Sequence, residues 1–187
     1  MKTFNAISNR LWRTKDGLAY LEFALILPIL LALLLGGIEI SRYIQTSQKV
    51  DKLTHTIVDL VAQAPQISEG ELDQIMIAAQ HVMQPHNFTD DGVIIVSCVG
   101  YNEFDQLVVK WQHQGGGNLS RSSAIGAEGT AATVPADFTV EDRDNVIIAE
   151  TFFSFSPIVN EEFVQDIEFY RTAFYLPRLG ELDTLNP

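Results

Sequence analysis

Residues 18–38 form one apolar stretch, LAYLEFALILPILLALLLGGI, in which Glu22 is the only charged side chain. As a helix it rises about 31 Å, enough to cross the hydrocarbon core of a bilayer. Pro28 falls inside it; a membrane helix tolerates a proline when neighbouring groups satisfy the freed carbonyl, so a kink is expected there. The stretch is long for the apolar part of a cleaved secretory signal, and GGIEIS at its end is not an A-x-A-like cleavage site.

Charge is distributed unevenly about this stretch. Before Leu18 the chain carries Lys2, Arg10, Arg13 and Lys15 against Asp16, a net +3. The whole chain is −12, which leaves −15 for the remainder. A basic flank, an apolar span and an acidic remainder fit the positive-inside rule, with residues 1–17 as a cytoplasmic leader and the remainder across the membrane. The acidic balance argues against nucleic acid as a partner, because phosphate binding needs a basic face.

Glu22 needs its own account, since an acidic side chain at the centre of a membrane helix costs about 2.5–3.5 kcal/mol. It lies about one turn inside the span, where snorkelling lowers that cost. The residues around it, Gly17-Leu18-Ala19-Tyr20-Leu21-Glu22-Phe23, form a G-x-x-x-x-E-[FY] pattern behind a basic leader. That pattern resembles the processing site of type IV prepilins. The longer segment LEFALILPILLALLLGGIEISR is similar to the N-terminus of TadE-like proteins, minor pseudopilins of the Tad (Flp) pilus. The related TadF-like proteins have the same plan.

The resemblance implies a single-pass protein of the bacterial inner membrane, cut by a prepilin peptidase between Gly17 and Leu18. It implies that Glu22 and Phe23 act in recognition and assembly, with Glu22 pairing the new terminal amine of a neighbouring subunit. Opposite charges 4 Å apart attract by about 4 kcal/mol at an effective dielectric near 20, comparable with the cost of burial. The implied partners are the peptidase, other Tad pilins and pseudopilins, the inner-membrane assembly platform and membrane lipid. The implied role is that of an initiating or tip-associated subunit in adhesion. The alternative is an uncleaved signal anchor with a snorkelling Glu22, whose extracytoplasmic domain binds an envelope partner.

Helical patterning continues beyond residue 38. Val50, Leu53, Ile57, Leu60 and Ala64 draw an apolar seam, predicting an extension over residues 39–66 with Pro65 as a stop. Such a stalk suits a pilin-like protein, with a head packed on the upper half of the helix. Ser68 and Glu71 have capping-box spacing, and Leu72, Ile75, Met76, Ala79, Val82 and Met83 recur at helical intervals up to Pro85. GVIIVSCVGY and QLVVKWQH predict a hairpin about Asn102 to Asp105. Two more strands are expected over residues 145–156 and 167–176. The Gly-, Ser- and Ala-rich residues 114–133 between them read as a long flexible loop. The predicted class is α+β: a long N-terminal helix, then a second helix and about four antiparallel strands that together make a head of residues 67–187. NVIIAETFFSFSPIV and DIEFYRTAFYLPR also resemble the last strands of TadE-like proteins.

The residues offer no catalytic constellation, so no enzyme, cofactor or metal is expected. Cys98 is the sole cysteine, sits in a strand-like run and reads as a buried hydrophobe. His81 and His86 make a weak metal pair. Gly115, Gly116 and Gly117 lack the lysine and helix of a phosphate loop. Glu141, Asp142 and Asp144 cluster about Arg143 without the spacing of a calcium loop, and read as a solvated turn. Strand alternation sends half of the aromatics in FFSFS and FYRTAFY inward.

Overall fold

The computed structural model describes residues 15–135, 144–158 and 166–187. The basic residues 1–14 and positions 141–143 of the acidic cluster lie outside them. One helix, α1 (Lys15–Ala62), runs unbroken for 48 residues with Pro28 inside it, about 72 Å in length. It is followed by α2 (Glu69–Met83), the short α3 (Phe88–Asp91) and four strands: β1 (Gly92–Tyr101), β2 (Leu107–Gly115), β3 (Val146–Phe155) and β4 (Ile167–Tyr175). The fold is α+β, and the strands form one antiparallel sheet in the order β2-β1-β3-β4.

The local devices follow from local sequence. Ser68 accepts from the Glu71 amide while the Glu71 carboxylate accepts from the Ser68 amide, a complete capping box that satisfies two free donors at the start of α2. In the β1–β2 hairpin the Asn102 side-chain oxygen accepts from the amides of Phe104 at 2.9 Å and Gln106 at 3.0 Å. Asp105 there takes φ 54°, the left-handed conformation that aspartate tolerates in turns.

The upper half of α1 is the spine of the core. Val50, Leu53, Ile57, Val58, Val61 and Ala62 are buried against the sheet face made by Ile94, Val96, Cys98, Ile147, Ala149 and Phe153. Leu60, expected on this seam, is 46% exposed and Val61 takes its place. Helical rotation explains the exchange: at about 100° per residue Val61 lies some 20° from Val50, whereas Leu60 lies some 80° away. The two threonines on the buried stripe are satisfied. Thr54 donates to the Val50 carbonyl at 2.8 Å and lies 2.9 Å from the Thr151 hydroxyl; Thr46 donates to the Arg42 carbonyl at 2.8 Å.

The other sheet face is covered too, which the sequence did not announce. The loop after β2 starts at Gly116, two residues later than expected, because the strand runs to Gly115. It then folds back over the sheet, burying Ile125 against Val99, Val109, Val146 and Ile148. The expected flexible loop is tied down by backbone bonds: Val109 N–H to the Thr130 carbonyl, Gly129 N–H to the Val109 carbonyl and Ala132 N–H to the Leu107 carbonyl. Gly117 permits the close approach, since a Cβ there would lie 2.2 Å from the Gly92 carbonyl oxygen.

Beneath the loop sits Glu150, fully buried in β3. Its carboxylate accepts from the Ser123 hydroxyl, from the Ala124 amide at 2.9 Å and from the Tyr170 hydroxyl at 2.8 Å. Burial, then this bond to Glu150, push the Tyr170 hydroxyl well above its ordinary pKa, so it stays a donor.

Candidate processing and assembly segment

The lower half of α1 stands clear of the head. Leu18, Leu21 and Phe23 are exposed, as are the large apolar residues through Leu35, and Glu22 is exposed among them. Leu18 and Glu22 are four residues apart in one helix, hence on the same face and one turn distant. Phe23 is turned about 100° from Glu22, so these two do not form a single patch. Gly17 and Leu18 lie in the first turn of α1, not in extended backbone.

Where the apolar stretch ends, a collar of contacts fastens helix to head. The Glu39 carboxylate accepts from the Ile158 amide at 3.2 Å and from the Arg42 guanidinium at 3.2 Å. Arg42 also lies over the Phe155 ring, 5.2 Å from its centre. Tyr43 packs on Phe169 at 4.9 Å and edge-on to Phe155 at 6.1 Å. One turn higher, Arg171 donates to the Ser47 hydroxyl at 2.8 Å, and Lys49 donates to the Gln84 carbonyl. None of this was legible as a site, because every contact but the Glu39–Arg42 pair joins residues remote in sequence.

His86 belongs to the collar. Its Nε2 is 2.9 Å from the Thr46 hydroxyl, whose single proton already goes to the Arg42 carbonyl, so Nε2–H is the donor. Burial first, then the charges of Lys49 and Arg42, lower its pKa. His81 bonds instead to Gln84 at 3.3 Å. The two histidines are thus engaged separately, and no cluster of three metal-ligating side chains occurs among the described residues. Cys98 is buried, and burial pushes its thiol up to about 12, which leaves it protonated and inert at neutral pH.

A bare apolar stalk continuing into the core of an α+β head defines a stalk-and-head protein whose single stalk helix is long and apolar enough to cross a membrane. Residues 17–58 match the family described as TadE-like protein. The matched segment starts at Gly17 and ends at Val58, so it takes in the apolar stretch, the collar residues of α1 and most of the buried seam. No curated protein and no solved structure matches the chain.

Proposed function

We propose that this chain is a minor pseudopilin of the Tad pilus, acting as an initiating or tip-associated subunit, held in the inner membrane by α1 with its head outside the cytoplasm. A prepilin peptidase cuts it after Gly17, so it is an enzyme's substrate and not itself an enzyme. Glu22 then pairs with the terminal amine of a neighbouring pilin, and Phe23 offers an apolar side chain on another face of the helix. The observation that carries this reading is the TadE-like match beginning at Gly17, over an apolar stretch, residues 18–38, whose lone charge is Glu22.

The test is pilus output in cells whose chromosomal copy carries Glu22→Ala, beside Glu22→Asp. The alanine variant is expected to insert in the membrane yet fail to support piliation, with partial rescue by aspartate. Normal piliation with alanine contradicts the role given to Glu22. The helical backbone at the Gly17–Leu18 bond favours a second reading, an uncleaved anchor whose head binds an envelope partner; the mature N-terminus decides between them.

A further inference from the structure

Above the apolar stretch, large apolar side chains stay exposed on α1 for only a short distance. Ile38, Ile40 and Ile44 are exposed, and the next exposed large aliphatic residue on the helix is Leu60. Glu39 to Ile44 spans about 7.5 Å, comparable with the roughly 5–7 Å of headgroup region on each side of a bilayer.

The head reaches that level at one corner. Ile158 follows β3 through Pro157, is 67% exposed, and has its amide fixed 3.2 Å from the Glu39 carboxylate. A lone exposed isoleucine on a soluble surface needs no explanation. This one is pinned to the level at which an apolar helix leaves its apolar surroundings. Among the described residues, the charged groups beside the corner are carboxylates, Glu39 and the Asp166 that accepts from Ser156 at 2.8 Å, while Arg42 is engaged by Glu39 and Phe155. The corner therefore offers a lipid surface apolar contact, not attraction to anionic headgroups.

We propose that the corner at Pro157 and Ile158 is a second, interfacial lipid contact, with Ile158 inserted at the boundary of headgroups and acyl chains so that the head is held against the bilayer at a set tilt. The inference rests on the reading of α1 as a membrane span. It makes the Glu39–Ile158 bond the element that transmits the orientation of the helix to the head.

The test uses the full chain in vesicles of phosphatidylethanolamine and phosphatidylglycerol, with an environment-sensitive fluorophore on one introduced cysteine: Leu33→Cys, Ile158→Cys or Phe104→Cys. The buried Cys98 resists labelling, and the parent chain reports any background. Phe104 is a matched control, 80% exposed but in the hairpin at the far end of β1, whose near end pairs Gly92 with Phe153. The expected result is quenching at 33 by nitroxides deep in the acyl chains, quenching and a blue shift at 158 with headgroup-level nitroxides, and neither at 104. Quenching at 33 with 158 as wet as 104 overturns the lipid contact and leaves the span intact. No quenching at 33 overturns the span and the contact with it. Exchanging phosphatidylglycerol for phosphatidylcholine should leave the signal at 158 unchanged; its loss would overturn the apolar nature of the contact.

Discussion

The amide of Ile158 donates to the carboxylate of Glu39 across 119 positions of sequence, and so ties the segment just after β3 to the helix where its apolar stretch ends. The same carboxylate holds Arg42, which in turn covers Phe155. Glu39 therefore organises a joint, although its spacing alone marks it only as a polar position on a helix.

Glu39→Ala should remove both bonds while leaving the core untouched. The expected loss is about 1 kcal/mol of head stability, since each bond is partly exposed to water. Amide hydrogen exchange is the sharper readout: protection at Ile158 should fall while that of β1 residues such as Val96 stays unchanged. Unchanged exchange at Ile158 contradicts the joint.

Glu150 makes a larger stake. Glu150→Ala leaves Ser123, the Ala124 amide and Tyr170 without their acceptor beneath the covering loop. A cost of about 2 kcal/mol is expected, because three part-buried donors lose their common acceptor. Glu150→Gln, which keeps the volume and one acceptor oxygen, should cost less. Urea denaturation of the two variants measures both, and equal stability of the alanine variant and the parent would remove Glu150 as the anchor of the loop.

His86 sets a pH dependence on the acid side. Its pKa is lowered in the fold, so the folded state binds fewer protons than the unfolded chain as pH drops through this range. The stabilisation is present above the unfolded value near pH 6.5 and is lost as pH falls through the lowered folded value. Denaturation midpoints measured from pH 7 downward should fall more steeply for the parent than for His86→Gln. Parallel slopes for the two proteins would show that His86 does not carry the effect.

Much of this architecture was legible because it is written in local periods. The Ser68–Glu71 capping box, the hairpin about Asn102 and the strand runs ending at Pro157 and Pro177 each use signals within a few residues. The seam on α1 was legible through Ile57, then misplaced at Leu60, because a spacing of three and four alternates at 3.5 residues while a straight helix turns every 3.6. The covering loop, buried Glu150 and the Glu39 joint were not legible. Each depends on partners brought together only by the sheet, and Glu150 sits in a strand pattern where alternation alone makes it look solvated. At the candidate processing segment, the motif pointed to Gly17, Leu18, Glu22 and Phe23 but not to the helical turn that contains the Gly17–Leu18 bond.

That bond is where the account is most exposed. The direct measurement is the N-terminal residue of the protein, read by mass spectrometry of its N-terminal peptide after recovery from cells with an active prepilin peptidase. A processed pseudopilin begins at Leu18, and keeps its leader when Gly17 is replaced by a bulky residue. A protein that still begins before Gly17 with active peptidase present would contradict it, leaving an uncleaved anchor.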